Sequence, residues 1–502
     1  MAKIAGERVT PFLSNLIGAD GITAGTPSAD VFTPNKQYRD MEKRFHLPDA
    51  LMGGTHAMRE LGVQYMPPYP SEETSRYTRR LRSAVLFEAF RKAVQNLSSR
   101  PFRKEIFIEE EADEFWQAMT QNVDREGTTI TSFARELMQD LLVFGKCHIL
   151  IDHPDSQSLS EALGRSLTLA DERDYALRPY LSRVSPKSVI GWRSQNLSGS
   201  EIVTELRIRE TAYDYVSDFE QEEVSRVHLW TPSSVATYKK VIDQTSDEEI
   251  AVLESQRENT LGMIPLVTIY ANRIGFLESD PPLEALAHLN QKHWWMQADQ
   301  DNIETVARVP MLFFRGFNAE DLAAMEVGPY KIFGNRSPES DIKVVETSGK
   351  AVEVGAAAIK RLEQQMERMS LEPLIRKAGV ITATEVAVDE NRNMSHMEAY
   401  VTLLERGLSE ALGIVGQWIK REDVPVINID KDSSHVDTSD RALEEMRLDY
   451  TMGVIDRRTY LEHRKQRGLY SEDMELDEVI EASDSEVADD LLEEDGDERA
   501  DS

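Results

Sequence analysis

Cys147, His148 and His153 form the densest set of potential metal ligands or nucleophiles in the chain, in the run KCHILIDH. A thiolate and two imidazoles could hold zinc or form a Cys–His nucleophile pair. The run reads as a strand, however, and alternation puts Cys147 and His148 on opposite faces. The simpler reading is a buried thiol beside ordinary histidines. His288 and His293 stand five residues apart, which is poor same-face spacing on a helix. Glu385 and Asp389 flank a break in the helical pattern, but carboxylates are so frequent in this chain that an acidic pair alone says nothing. The runs Glu109–Glu111 and Glu493–Asp495 read as solvated charge. No phosphate-cradling GxxxxGK[ST], no GxGxxG after a strand, no GxSxG elbow and no HExxH helix is present. The residues that could do chemistry point to no catalytic centre, metal or cofactor, and a non-enzymatic protein is expected.

The charge sharpens that expectation. The chain has 502 residues with 57 Lys and Arg against 89 Asp and Glu, a formal charge of −32. Residues 471–502 hold 16 acidic side chains and one basic one, Arg499, so nearly half the net charge sits in the last stretch. Its few apolar residues cannot offset the entropy of ordering, and residues 483–502 read as a disordered acidic tail. A freely diffusing nucleic-acid binder that works by long-range attraction is disfavoured, because phosphate contacts need Lys and Arg. The single cysteine excludes an intramolecular disulfide framework and fits a reducing compartment. No apolar run approaches the ~20 residues of a membrane span. The opening MAKIAGERVT lacks the apolar core of a signal peptide. A soluble, intracellularly made protein of two to four domains is expected, at roughly 100–200 residues each.

The elements follow from periodicity. Residues 1–70 are rich in Gly, Pro, Thr and Ser and predict an extended, partner-contacting arm with short helices. Residues 72–97 show helical spacing, 102–109 alternate like a strand, and helices are predicted over 113–123 and 131–145. Strands are predicted at 146–152, 180–184, 188–192, 201–209, 224–230, 235–242 and 263–271, with turns at 196–200 and 243–250. This is a sheet domain with helices packed on it, of α+β class. A long helix opens at Pro281–Pro282 and runs to about Val306, about 39 Å. A compact insert follows, then helices over 352–370 and 391–419, separated by a break at GVITATEV (379–386), where Gly379 and β-branched residues interrupt the helix. A helix pair near 439–453 and 456–468 precedes the tail.

In that order the elements resemble those of the portal, or head-to-tail connector, proteins of tailed bacteriophages. The segments that carry the resemblance are TSFARELMQDLLVFGKCHILIDH (131–153), YLSRVSPKSVIGWR (180–193), LRIRE (206–210), LGMIPLVTIY (261–270), and ITATEV (381–386) ahead of a long helix. The match covers about residues 70–465 and leaves out the arm and the tail. It implies an α+β wing over 71–280, after an arm over 1–70. It implies stem helices at 281–307 and 352–370 around a clip at 308–351, a tunnel loop at 371–390, and a long helix returning to the wing at 391–436. A helical crown at 437–482 and the tail at 483–502 complete the portal-protein fold. It further implies a homo-oligomeric ring, usually of twelve subunits, at one capsid vertex of a virion assembled in the host cytoplasm. Double-stranded DNA would be packaged through the ring and later ejected. The implied partners are the terminase large subunit, a head-completion or tail adaptor protein, and the major capsid and scaffolding proteins, with no membrane and no cofactor.

Within that frame, acidic walls let DNA slide without sticking. The basic residues that could grip it transiently are Arg315, Lys331, Arg336 and Lys343 in the insert and Arg376, Lys377 and Arg392 near the loop. Gly379, Ile381, Thr382, Thr384 and Glu385 are the loop candidates for the narrowest point. A helix pair carrying Trp294, Trp295 and many polar residues is expected not to bury itself in a monomer, so that neighbours around a ring must cover it. Two alternatives stay open: an intracellular enzyme with its site in the α+β body, and an acidic helical scaffold protein.

Overall fold

The computed structural model describes residues 29–108, 113–168, 170–171, 175, 177–242, 249–308, 311–316, 341–345, 350–370, 383–429 and the single positions 447, 458, 460 and 461. The chain divides into two compact units, Met1–Asp430 and Lys431–Ser502. In the second unit the described positions are helical and fall within the two expected helices; the rest of the expected crown, and the acidic tail, lie outside the described residues.

The first unit is α+β. Its centre is the helix-to-strand passage that the sequence marks most clearly. The Thr129 hydroxyl caps the helix by accepting from Ser132 N–H (3.3 Å), and Gly145 ends it in the left-handed conformation (φ 74°). A Cβ at Gly145 would lie 2.0 Å from the Asp280 carbonyl oxygen, so glycine is required there twice over. Among the described residues, seven α-helices precede β1: α1 (Lys36–Met52), α2 (Gly54–Glu60), α3 (Gly62–Tyr65), α4 (Thr74–Ser83), α5 (Ala89–Ser99), α6 (Glu114–Gln121) and α7 (Ile130–Phe144). β1 (Lys146–Asp152) is buried on both faces and is followed by α8 (Ser156–Leu163). β1 lies between β2 (Tyr180–Val184) and a later strand, β8 (Leu266–Tyr270). Ile149 stands opposite Arg183 on one side and Val267 on the other.

Between those partners runs a five-stranded meander: β3 (Val189–Leu197), β4 (Ser200–Tyr215), β5 (Gln221–Trp230), β6 (Ser234–Ile242) and β7 (Glu249–Glu258). A short pair, β9 (Arg273–Gly275) and β10 (Glu278–Ser279), leads to the long helices. Every strand pairing among the described residues is antiparallel. The main core gathers α1, α5 and α7 with Ile149 and Ile269 of the small sheet and Trp294, Leu404, Leu408 and Leu412 of the long helices.

Several expectations are corrected. Residues 36–66 are not an extended arm: Met41, Phe45, Leu51, Met58 and Met66 are buried in the main core. The spacing of Tyr38, Met41, Phe45 and Leu51 is helical, and Asn35 Oδ1 caps it by accepting from Tyr38 N–H (2.8 Å); Pro48 and the prolines at 67, 68 and 70 obscure that pattern. The single helix over 72–97 is two helices. Its break is held from outside: Arg59 Nε donates to Ala84 O (3.0 Å), and Leu86 N–H donates to Thr55 Oγ1 (3.1 Å). The strand over 102–109 is one bridge, Phe107 to Asn428. Part of the turn region at 243–250 is already strand β7, which the sequence reading lacks, as it lacks α8.

Candidate functional site

The segment with the least ordinary build is the run of long helices. α9 (Glu284–Arg308) leads to β11 (Met311–Arg315); β12 (Asp341–Val345) leads to α10 (Lys350–Ser370); α11 (Ala383–Ile419) follows, 37 residues or roughly 55 Å long. α9 packs against α10, and β11 pairs with β12, so two long helices share a two-stranded tip.

One end of α9 is built into the body. Leu286, Ala287, Trp294 and Ala298 are buried with the core. The polar residues beside them, Asn290, His293 and Gln300, are buried too, and each makes at least one polar contact. Asn290 Oδ1 accepts from Phe90 N–H (2.9 Å) and its Nδ2 donates to Phe87 O (2.8 Å), which satisfies backbone groups at the start of α5. His293 Nε2 lies 3.2 Å from Glu363 Oε1 of α10, with its ring 5.1 Å from that of Phe87. Gln300 Nε2 donates to Val352 O (3.0 Å), and a Cβ at Gly355 would come 2.0 Å from Gln300 Oε1. Trp295 Nε1–H donates to Tyr65 O, and Gln291 Nε2 does so at 3.2 Å.

Arg80 adds an electrostatic anchor. Its side chain is buried, makes two hydrogen bonds to Glu72 (2.9 and 2.6 Å), lies 3.5 Å from Asp299 of α9, and sits 4.6 Å from the centre of the Tyr69 ring. The Arg80 hydrogen bond holds the Glu72 carboxyl below the usual carboxylate range. Burial, then the hydrogen bond to Asp299, pushes the Tyr69 hydroxyl up to about 12.

Away from the body the helix pair opens to solvent. Ile303 and Val354 are exposed, while Ile359, Leu362 and Met366 of α10 are buried. The expectation that the pair cannot bury itself is therefore corrected for the end nearest the body, where Trp294 is fully covered and Trp295 is 37% exposed. Lys360, Arg361 and Arg368 are exposed along α10. The sequence reading passed over them, although their setting in a helical pattern with Ile359, Leu362 and Met366 marks them as the outer face.

At the tip, Phe313 stands opposite Lys343 and Arg315 opposite Asp341. Alternation puts these four residues on one face of the strand pair, and all four are exposed. The structure thus brings together two of the predicted grip residues, Arg315 and Lys343. Lys331 and Arg336 lie outside the described residues, as do Arg376, Lys377, Gly379, Ile381 and Thr382. Thr384, Glu385 and Arg392 are on the backbone of α11. Residues 383–390 are helix rather than loop, so that part of the expected loop is corrected, while 371–382 lies outside the described residues; Glu385 and Asp389 lie one helical turn apart.

The end of α11 nearest residue 419 is fixed as firmly as α9. Gly407 lets it approach the small sheet, since a Cβ there would meet Ile269 Cδ1 at 2.3 Å. Glu405 Oε1 accepts from Ile429 N–H (2.9 Å).

The residues first singled out for chemistry have structural settings. Burial pushes the Cys147 thiol up, which keeps it a poor nucleophile. His148 Nδ1 is 2.8 Å from Thr268 Oγ1, and burial holds its imidazole neutral. His153 stacks on Trp418 at 5.8 Å. His288 is exposed and His293 buried. Among the described residues no group of three or more His, Cys, Asp or Glu could hold a metal ion, and no helix is long and apolar enough to cross a membrane.

A family profile described as a domain of unknown function (DUF4055) matches residues 282–419, the span from the start of α9 to the end of α11. A search of curated proteins finds no match. Among solved structures the chain is similar to a chain from the neck of an empty gene transfer agent particle computed with C6 symmetry, at 10% identity and TM-score 0.37, over 76% of this chain and 89% of that one. It is also similar to a chain of the virion of a native gene transfer agent particle, at 12% identity and TM-score 0.36, over 82% of this chain and 98% of that one. A third match is to the neck of the native particle computed with C12 symmetry, at 11% identity and TM-score 0.36, over 75% and 89%. At these TM-scores the likeness carries no statement about function.

Proposed function

We propose that the chain is the non-enzymatic subunit of a portal ring. In this reading the ring stands at one capsid vertex of a virion, and double-stranded DNA enters and leaves through it. The observation that carries the reading is the build of the helix pair. The helix pair is bolted to the α+β body at one end by Asn290, Trp295 and Arg80, α9 and α10 are joined to each other by Gln300, and they lead at the other end to the exposed β11–β12 tip. That is the order of wing, stem and clip implied by the sequence resemblance. A rigid root and a solvent-facing outer half suit a rod that neighbouring copies flank.

The tip, with Phe313, Arg315 and Lys343 exposed, is then the surface for the terminase large subunit and later the adaptor protein. The exposed Lys360, Arg361 and Arg368 join Arg315 and Lys343 as passing contacts for phosphates, in a chain whose overall −32 charge keeps DNA from binding tightly. The ring has about twelve copies, with capsid and scaffolding proteins around it. Native mass spectrometry of the purified full chain tests this reading: the expected mass is about twelve times 57.0 kDa. A monomer or dimer at micromolar concentration overturns it.

A further inference from the structure

The first unit carries an acidic, aromatic hairpin tip and a cation-rimmed cleft that cannot meet within one copy. β4 and β5 are paired from Leu206 and Trp230 to Tyr215 and Gln221, so the hairpin is stiff up to its turn. There Val216 N–H donates to Glu220 O (2.9 Å). Phe219 at the turn is 96% exposed, and Tyr213, Tyr215 and Val216 are exposed near it. Asp218, Glu220, Glu222 and Glu223 form an exposed collar of carboxylates around Phe219. A large aromatic held in water on a stiff hairpin serves nothing in its own fold and marks a contact surface.

The cleft, about 780 Å³, opens between the three-stranded and the five-stranded sheet. Its floor is apolar, with Ile208, Trp230 and Val235 buried. Its rim carries Lys187, Arg209 and Arg257, with Arg183 tied to Asp140 and two carboxylates, Asp152 and Glu210, the latter engaged by His228 (2.7 Å). Arg257 lies 5.3 Å from the centre of the Trp230 ring and is tied to Asp152 (2.6 and 2.8 Å); Lys187 is tied to Asp49 (2.7 Å). Arg209 donates to the Tyr38 hydroxyl (3.4 Å), which in turn donates to Glu42 Oε1 (3.2 Å), and it makes no direct ion pair among the described residues. Arg209 lies on strand β4, which leads into the turn, and the eight residue steps from Arg209 to Ser217 span roughly 26 Å of extended chain. A fully paired hairpin cannot fold back over that distance, so whatever seats in the cleft comes from elsewhere.

We propose that Phe219 and its carboxylate collar, on the β4–β5 hairpin of one copy, seat in the cleft at Arg209 of a second copy. The aromatic ring covers the apolar floor, and the collar meets Arg209 and Lys187. The two surfaces differ, so the contact is head-to-tail; it repeats from copy to copy and closes if the rotation allows. Closure into a ring rests on the proposed function, whereas the contact itself does not.

Cysteine cross-linking tests it, because the native Cys147 is buried. Ser185 lines the cleft. Chains bearing Ser217→Cys, at the same exposed turn with Phe219 kept, and chains bearing Ser185→Cys, co-expressed and mildly oxidised, should give a covalent dimer that neither variant gives alone. Adding Arg209→Glu to the Ser185→Cys chain should lower that yield about two- to fivefold, the worth of one exposed ion pair. Far-UV circular dichroism and a melt matching the unmodified protein establish that each variant is folded. Rings without the mixed dimer overturn the docking and leave the portal reading intact. A dimer from Ser217→Cys alone also overturns it, since it means two-fold contact at the hairpin. The mixed dimer in a protein that forms no ring supports the docking and contradicts the portal reading.

Discussion

Single side chains in this molecule mostly serve to fix longer pieces, and Lys146 shows the cost. It is buried on β1, with Nζ donating to Leu277 O (2.6 Å) at a residue whose φ is +56°. That bond pins the turn between β9 and β10, just ahead of α9. Burial lowers the amine to about 7. The folded chain therefore holds fewer protons than the unfolded one between about pH 7 and the ordinary lysine value of 10.5. Stability contributed through this group rises with pH across that window, by at most about 5 kcal/mol. Lys146→Met should remove most of the slope, and thermal melts of both proteins from pH 7 to pH 9.5 measure it: parallel curves would mean that the amine is not buried as described. The sequence gives little warning, since Lys146 reads there as the polar first residue of a strand. His148 and Cys147 drew notice by type, yet both are core. A side chain's type says what it could do, whereas burial by α7, β2 and β8 decides what it does, and that depends on residues far away in the chain.

At the scale of elements, local signals were legible where they were self-contained. Thr129, Gly145 and the apolar stripe between them define α7 without outside help, and the short apolar core of 146–152 defines β1. Elements failed to show where tertiary contacts override the local pattern. α4 and α5 part because Arg59 and Thr55 hold Ala84 and Leu86, and α1 is helical in spite of Pro48. β7 is mostly exposed and polar, so it lacks the apolar alternation that reveals a strand. The helix pair was legible as two rods but not as a seam. Gly355 illustrates this, since glycine inside a helix usually lowers stability by roughly 1 kcal/mol relative to alanine. Here it makes room for Gln300, whose amide is buried and bonded to Val352 O. Gly355→Ala is therefore expected to destabilise the protein by about 1–3 kcal/mol by displacing that amide. Urea denaturation reads the sign, and pairing it with Gln300→Ala should remove most of the penalty. A stabilised Gly355→Ala would place the α9–α10 seam elsewhere.

For the whole molecule, composition excluded more than it identified. The −32 charge and the single cysteine argue against a nucleic-acid clamp and a disulfide scaffold, and the conduit is proposed from the order of segments, which resembles that of portal proteins. What the sequence could not give is which surfaces of the rods face inward: only the structure separates Leu362 and Met366, which are buried, from Arg361 and Arg368, which are not. The central claim is that α9 and α10, rooted in the body and bare beyond it, stand side by side from many copies about an open axis. Single-particle imaging of the purified full chain tests it most directly. The account predicts closed rings of about twelve subunits with a central hole wide enough for duplex DNA and the β11–β12 tips gathered at one mouth. Compact particles of one or two chains with no axis would contradict it.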